Sequence, residues 1–208
     1  MPLSPPPSRL GLMENLAGVI DIMLGRPSGR ARLDLSARGI GWSFGGLALA
    51  GLVDMSALSI LYNVQAPQIS SQIGKSFFIF GHIFIALIGY AASILALYLL
   101  CRTPAEQRNF PAAIAAHNWA APIVSLAFLP LIIIATSLGG PVSPDGGNDL
   151  LTLVSVFWIG VLIFVGVRLI GLSLEVSLKK AVMRFVITPA VSLVTTEGLE
   201  NLIGLTPN

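Results

Sequence analysis

Two ionisable residues, Asp54 and His82, stand inside long apolar runs of this sequence, where a charge is costly if the runs lie in a membrane. Asp54 comes about eight residues before the end of its run, and His82 about six residues after the start of the next. At about 1.5 Å per helical residue, both lie roughly 10 Å below the same membrane surface. A hydrogen bond between them would suit a proton relay or a polar ligand. The alternative interpretation is structural: the two residues satisfy each other, or nearby backbone groups, and fix the packing of two helices.

A second set of polar residues, His117, Asn118 and Arg168, falls near the opposite membrane surface on two antiparallel runs. A cation beside hydrogen-bonding groups at that depth predicts a site for an anion or a lipid headgroup. The alternative is an interfacial anchor, in which Arg168 extends toward water along its apolar stem. Glu175 and Lys179 follow Arg168 in the sequence, so an ion-pair ladder along one helix face is also expected.

Other chemistries lack the residues that they need. The two histidines, His82 and His117, are separated by roughly 12–15 Å along the normal of a core about 30 Å thick, which disfavours one shared haem. A single histidine as the axial ligand of a pigment stays open as a minor alternative, but no cofactor or metal is predicted. The lone cysteine, Cys101, excludes an internal disulfide. The signatures of serine hydrolases, zinc peptidases, redox dithiols and phosphate-binding loops are absent, so we do not expect an enzyme.

Membrane-spanning helices must position these residues. Apolar residues make up 54% of the 208 residues and charged residues only 11%, against about 25% in soluble domains. Because a bilayer core needs about 20 residues of helix, the sequence predicts an all-α bundle of four or five transmembrane helices in a membrane domain at 39–208. Four spans are predicted, at 41–62, 76–100, 112–138 and 150–172. A fifth segment at 181–205 is more polar, and it is either a span or a second interfacial helix.

The N-terminal region has a different pattern. Residues 1–8 are rich in proline and predict a disordered tail. Residues 9–38 predict an amphipathic helix, ended by Gly25-Arg26-Pro27, and a basic connector after it. The helix is too short and too polar to cross a bilayer, which predicts that it lies in the membrane interface. Packing against another soluble segment is the alternative. The arginines of the connector suit anionic lipid headgroups or plain solvent.

Lysine and arginine are unevenly distributed among the segments that flank the spans. The N-terminal segment has five, the next three loops have one, two and none, and the segment after the fourth span has three. Because cations concentrate in cytoplasmic segments, we predict a cytoplasmic N-terminus in a bacterial inner membrane, and a flexible outer turn at 139–149. The cations do not form one patch with aromatic residues, so nucleic acid is not an expected partner.

The first span contains a Gly-x-x-x-Gly pattern from Gly41 to Gly45, which Gly46, Ala50 and Gly51 extend. In lipid, helices associate where small residues let two backbones approach each other. This span is therefore predicted to be the most closely packed helix. Its partner is either another part of this chain or another membrane protein.

Three features follow one another in the first part of the chain. An amphipathic helix closes in Met23-Leu-Gly-Arg-Pro27, a basic stretch runs through Arg38, and Gly41-Trp-Ser-Phe44 leads into several spans. This order of features resembles that of small, Yip-like inner-membrane proteins of bacteria, a group without a settled function. The resemblance covers about 35 residues. It implies a polytopic membrane protein and no catalytic residue.

These patterns support hypotheses from different functional classes. The leading one is an accessory or scaffold subunit of a membrane assembly, which contacts the lipid bilayer and either other subunits or a second copy of itself. It rests on the lack of catalytic groups, the glycine-rich first span and the amphipathic helix. The alternative is a small proton- or solute-coupled transporter that uses Asp54 and His82. A third hypothesis is a lipid-moving or lipid-modifying protein that acts near Arg168.

Overall fold

The computed structural model describes residues 11–69, 74–138 and 149–203, so the predicted tail at 1–8 and most of the predicted turn at 139–149 lie outside it. Within these three ranges the chain is almost entirely helical and contains no strand. The α-helices, in order, are α1 Leu12–Met23, α2 Ala37–Ile69, α3 Lys75–Leu100, α4 Pro104–Leu138, α5 Asp149–Leu174 and α6 Leu178–Ile203. A short 3-10 helix, Pro27–Arg32, joins α1 to α2.

In the described part of the chain, five helices, α2 to α6, are long and apolar enough to cross a membrane. The chain is therefore a multi-pass membrane protein, as predicted. The segment predicted at 181–205 as a span or an interfacial helix is α6, which stays helical through Pro189. It is the least apolar of the five, yet it has the length of a span.

Two helices begin earlier than the apolar runs indicated, because side chains cap their first turns. The Ser36 hydroxyl accepts the backbone N–H of Gly39 at 3.0 Å, at the start of α2. At the start of α4, the Thr103 hydroxyl accepts the N–H of Glu106 at 3.2 Å, and the Glu106 carboxylate accepts the N–H of Thr103 at 3.3 Å. This reciprocal capping box is followed by Pro104 at the first helical position, which suits a helix start. Most of the segment 101–111, predicted as a loop, is consequently helix.

The first helix, α1, packs on the bundle through one face and exposes another. Val19 and Ile22 are fully buried, in a cluster with Trp119 of α4 and Leu169 of α5. The opposite face exposes apolar side chains at helical spacing: Met13, Ile20 and Leu24. A short helix with an outward apolar stripe suits the boundary between headgroups and acyl chains. The helix ends at Met23, and the chain turns away two residues later at Gly25, whose φ of 85° is accessible to glycine at little cost.

The helices α2 and α4 run in the same direction. Near the start of α2, Ser43 is hydrogen-bonded to Asn118 in the middle of α4, and further along both helices Asp54 is hydrogen-bonded to Ser125. The residue numbers of the partners rise together, as they do only for parallel helices. This pair forms the most extensive helix contact of the bundle.

The helices α3 and α6 run in opposite directions. Ser93 of α3 donates to the carbonyl oxygen of Thr188 at 3.0 Å, and Arg184 donates to the carbonyl oxygen of Leu100 at 2.9 Å. Ion pairs gather where α2, α4 and α6 start and where α3 and α5 end. We call that end of the bundle, which also includes α1, the basic end.

The outer surface of the bundle is apolar along each span. Large side chains face outward on all five helices, for example Leu52, Phe84, Ile134, Phe157 and Val194, each at least 50% exposed. A monomeric soluble protein rarely exposes so continuous an apolar surface. Lipid contact explains it, which agrees with the low share of charged residues.

Candidate functional site

The structure gives Asp54 and His82 different partners. The Asp54 carboxylate is hydrogen-bonded to the side chain of Ser125 on α4. His82 Nδ1 lies 2.8 Å from the carbonyl oxygen of Phe78, and its Nε2 lies 3.9 Å from a carboxylate oxygen of Glu200 on α6. The Asp54–His82 bond that their depths suggested is therefore not formed. The physical reason is the pairing of the helices, because α2 packs mainly on α4 and α3 mainly on α6. We call these two helix–helix contacts seams, and the two residues lie in different seams.

The second predicted set, His117, Asn118 and Arg168, does not form one site either. His117 and Asn118 are neighbours in α4, and consecutive residues of an α-helix point about 100° apart. His117 lines a cavity, whereas Asn118 joins α2 to α3. Arg168 lies against α1.

Arg168 attaches α1 to α5. Its Nη1 donates to the carbonyl oxygen of Met23 at 3.1 Å, and its guanidinium carbon lies 3.9 Å from the centroid of the Phe164 ring. Met23 is the last residue of α1, where the helix dipole favours a cation. Arg168 therefore stabilises the docked N-terminal helix, through contacts within the chain.

A buried chain of hydrogen bonds crosses three helices. The Asn118 amide donates to the Ser43 hydroxyl at 2.8 Å, and the Tyr90 hydroxyl of α3 donates to the Asn118 side-chain oxygen. Ser43 donates in turn to the carbonyl oxygen of Ile40 at 2.6 Å. Asn118 and Ser43 are both 0% exposed. Hydrogen bonds of this kind between membrane helices stabilise the fold by about 0.6 kcal/mol on average.

Gly46 is the glycine at the tight crossing of α2 and α4. It follows directly after the Gly-x-x-x-Gly pattern of Gly41 and Gly45. A Cβ at Gly46 would lie 2.6 Å from the carbonyl oxygen of Asn118. A Cβ at Gly41 or Gly45 would meet nothing within 4 Å in the described part of the chain, so these two glycines face outward. Pro122, four residues after Asn118, has no N–H for that carbonyl oxygen, so α4 lacks one backbone bond at the crossing.

A cavity of about 550 Å³ lies among α3, α4, α5 and α6. Its wall is mostly apolar, with hydroxyl groups and one imidazole from Tyr90, Ser93, His117, Thr188, Ser192 and Thr196. No carboxylate, lysine or arginine contributes to the wall as far as the described residues show. His117 Nδ1 lies 3.2 Å from the carbonyl oxygen of Ala113. Apolar walls with a few fixed polar groups are typical of small-molecule sites.

A buried ion-pair network lies beyond this cavity at the basic end. One carboxylate oxygen of Glu106 is 2.8 Å from Arg184 Nη2, and the other is 3.0 Å from Lys180 Nζ. Arg184 is 2% exposed and Glu106 5%, and Arg184 also donates to the carbonyl oxygen of Leu100. The network therefore ties the ends of α3, α4 and α6 together at this point.

The opposite end of α3 and α6 is joined by His82 and Glu200, whose facing atoms are 3.9 Å apart. This contact is an ion pair only when the imidazole is protonated. Between the two ends, α3 and α6 approach closely at Gly89, where a Cβ would lie 2.7 Å from the Ser192 hydroxyl.

Several of these residues escaped the sequence analysis. Glu106 had a usable signal, because Thr103-x-x-Glu106 before an apolar run is a capping-box pattern. Arg184 was visible only as one of the cations after the fourth span. Tyr90 had no signal, because a tyrosine in an apolar run is ordinary.

The cations of the basic connector are largely paired within the chain. Arg26 and Arg32 lie 3.0 and 3.2 Å from the carboxylate of Asp21, and Arg30 pairs with Glu175. The predicted ladder through Glu175 is therefore wrong. The helix α5 ends at Leu174, and Glu175 has a φ of 54°, which turns it toward Arg30. Hydrogen bonding to Arg30 lowers the pKa of the Glu175 carboxyl.

The comparisons with known proteins name no relative. Neither a protein-family model, nor a curated protein, nor a solved structure matches the chain. The resemblance to Yip-like proteins stays a prediction. Among the residues that the structure describes, no three His, Cys, Asp or Glu side chains are grouped to hold a metal ion.

Proposed function

We propose that this protein is a membrane carrier that binds a small, uncharged, hydrogen-bonding molecule in the cavity among α3, α4, α5 and α6. The main support is the position of the cavity, midway along α3 and α6. The Glu106–Arg184 network lies at one end of this helix pair, and the His82–Glu200 contact lies at the other. A carrier that works by alternating access needs a central site with a contact on either side that opens in turn.

Features of the surrounding helices suit such movement. Pro189 lies in the cavity wall, and like Pro122 in α4 it removes a backbone hydrogen bond and weakens its helix locally. At Gly89, a Cβ would lie 2.7 Å from both Ser192 Oγ and Thr196 Cγ2 of α6, and 3.6 Å from the Ser192 carbonyl oxygen. The closest contacts of α3 with α6 at this point are therefore with side chains, which can change their rotamers.

His82 is part of this proposal, as it was part of the predicted transporter. Its partner is Glu200 and not Asp54. The Nε2 atom of His82 lies 3.9 Å from a carboxylate oxygen of Glu200, so this end of the helix pair is held by a looser contact than the Glu106–Arg184 pair. Asp54 contributes to the seam between α2 and α4, so no proton relay through Asp54 is proposed.

Cysteine labelling tests whether water reaches the cavity. In a Cys101→Ser background, Ser192→Cys places a thiol in the cavity wall, and Val194→Cys places one on the outer face of α6, where Val194 is 72% exposed. We expect a membrane-impermeant maleimide to label position 192 and not position 194. A thiol in lipid stays protonated, and only the thiolate reacts. Equal labelling of both, or labelling of neither, would contradict the proposal.

Solute flux tests the transport step. We expect vesicles that contain the protein to swell in glycerol faster than empty vesicles, and Ser192→Phe to abolish the difference by filling the cavity. Val194→Phe, which points outward, is the matched control and should retain the flux. Equal rates with wild type and Ser192→Phe would refute passage through the cavity.

A second candidate, the accessory or scaffold subunit, is favoured by the outward-facing Gly41, where a Cβ would meet no described atom within 4 Å. Small residues on an outer helix face let another membrane helix approach. We expect purification in a mild detergent to recover a defined homo-oligomer or a stoichiometric partner, which Gly41→Ile would disrupt and Gly51→Ile would not. A monodisperse monomer would count against this candidate.

The membrane and the orientation are also part of the proposal. We place the basic end in the cytoplasm of a bacterial cell, on the distribution of lysine and arginine along the sequence. Reporter fusions at Arg102 and between α4 and α5 should report opposite compartments. The same compartment for both would overturn the orientation.

A further inference from the structure

A second cavity, of about 500 Å³, opens on the outside of the bundle between α1 and α2 and reaches α4. We call it the α1/α2 groove. Its wall includes Leu12, Arg38, Trp42, Gly45, Leu49 and Trp119. Part of the space exists because Gly45 has no side chain and no described atom lies within 4 Å of where its Cβ would be.

The length of the α1/α2 groove matches one leaflet of a bilayer. At about 1.5 Å per residue, the stretch of α2 from Arg38 to Leu49 measures roughly 16 Å. A hydrocarbon core is about 30 Å thick, so one leaflet contributes about half of that depth. Because Arg38 is close to the start of α2, the groove runs inward from the basic end.

The chemistry of the wall suits an acyl chain. The groove has a volume of about 500 Å³, and most of its wall is apolar. An apolar groove that begins beside a cation at the end of a membrane helix matches the two parts of a phospholipid, which are its acyl chain and its headgroup.

Arg38 is a suitable partner for a phosphate. Arg26, Arg30 and Arg32 pair with carboxylates of this chain, whereas the side chain of Arg38 has no partner among the described residues. The groove also includes Asp34, whose carboxylate accepts the backbone N–H of Ser36 at 3.0 Å. Arg38 is therefore the cation of the wall that is left for a ligand. An unpaired guanidinium beside a mostly apolar groove at the end of a membrane helix fits the phosphate of a lipid headgroup.

Two of the three tryptophans lie in the wall of the groove. Trp42 is 64% exposed, as is common for tryptophan in the headgroup region. Trp119 is 9% exposed, and its indole Nε1 has no hydrogen-bond partner in the described ranges. The buried indole is thus within reach of a molecule in the groove but shielded from the surrounding lipid.

We infer that the α1/α2 groove binds one phospholipid of the leaflet at the basic end, with its phosphate on Arg38 and an acyl chain between Gly45 and Trp119. This site is separate from the cavity proposed for transport, and it does not depend on that function.

Tryptophan fluorescence tests the inference directly. Trp42→Phe with Trp158→Phe leaves Trp119 as the only tryptophan in the full-length protein. The protein is reconstituted into phosphatidylglycerol vesicles whose acyl chains contain bromine, a short-range quencher. We expect strong quenching of Trp119 despite its burial, because a bound chain lies against it. No quenching would overturn the inference.

A matched pair of glycine variants separates a bound lipid from bulk lipid. Gly45→Phe fills the groove and should remove most of the quenching. Gly51→Phe adds the same side chain on the same helix outside the groove, where a Cβ would meet no described atom within 4 Å, and it should leave quenching unchanged. Equal quenching in both variants would show that bulk lipid is responsible and would refute the site.

Native mass spectrometry in detergent measures the headgroup contact. We expect wild type to retain one phosphatidylglycerol molecule, and Arg38→Gln to lose it. Arg108→Gln removes a cation that is also unpaired but does not line the groove, and this variant should keep the lipid. Retention by Arg38→Gln, or a protein fragment in place of the lipid, would contradict the inference.

Discussion

The helix pairs α2/α4 and α3/α6 are joined in different ways. At the crossing of α2 and α4, a methyl group on Gly46 would lie 2.6 Å from a backbone oxygen, and Asn118 bonds Ser43 beside it. Where α3 meets α6, a methyl group on Gly89 would lie 2.7 Å from the Ser192 hydroxyl, and a cavity lies alongside. A side chain can rotate away, whereas a backbone oxygen moves only with its helix. The comparison indicates a fixed seam between α2 and α4 and an adjustable one between α3 and α6.

The ends of α3 and α6 also differ from each other. At the basic end, the Glu106–Arg184 pair is buried and its facing atoms are 2.8 Å apart. At the other end, His82 and Glu200 are half-buried and 3.9 Å apart. Buried pairs are costly to break, and loose, partly hydrated pairs are not. The adjustable seam is therefore held more firmly at the basic end.

The largest effect is expected from breaking the buried pair. Glu106→Ala leaves Arg184, which is 2% exposed, without its counter-charge, and it removes the carboxylate that accepts the backbone N–H groups of Arg102 and Thr103. We expect the free energy of unfolding to fall by about 3–5 kcal/mol, measured by unfolding in mixed detergent micelles. Lys180→Gln, at a side chain that is 52% exposed, should cost about 1 kcal/mol or less. Equal losses would show that the network is not buried as described.

A pair of alanine variants compares the two seams themselves. Gly46→Ala should destabilise the protein by about 1–3 kcal/mol, because the added methyl group forces α2 away from the α4 backbone. Gly89→Ala should cost less, because the nearest atoms, Ser192 Oγ and Thr196 Cγ2, belong to side chains and not to the backbone. Gly41→Ala, in open space, is the control and should be neutral or slightly stabilising. If Gly89→Ala lowered the stability more than Gly46→Ala, the seam between α3 and α6 would be the more rigid of the two, contrary to our expectation.

The smallest effect concerns pH at the basic end. Because Arg30 lowers the pKa of Glu175 in the folded protein, the pair stabilises the fold above the ordinary pKa of glutamate. This stabilisation is lost as the pH falls through the lowered pKa. We expect the wild-type melting temperature to fall on acidification, and Glu175→Gln to show a smaller fall over the same range. Parallel curves would mean that the exposed pair contributes nothing measurable.

Part of the candidate site was accessible from the sequence. His82 and His117 were identified as polar residues within the membrane. His117 lines the cavity, and His82 joins one end of α3 to α6. The pairing of Asp54 with His82 was wrong, because depth along a helix says nothing about which helix faces it. Gly46 could not be told from Gly41 and Gly45, since all three lie within a few residues and differ only in direction.

The sequence by itself determined the class of protein, the helical spans and the end of the bundle where cations concentrate. These properties depend on local composition, because each apolar run has to satisfy its own backbone hydrogen bonds in lipid. The tertiary structure alone decided that α2 packs on α4 and α3 on α6, that Glu106 meets Arg184, and where the two cavities lie. Such contacts join residues far apart in the chain, and their geometry follows from the packing of whole helices, which no local pattern records.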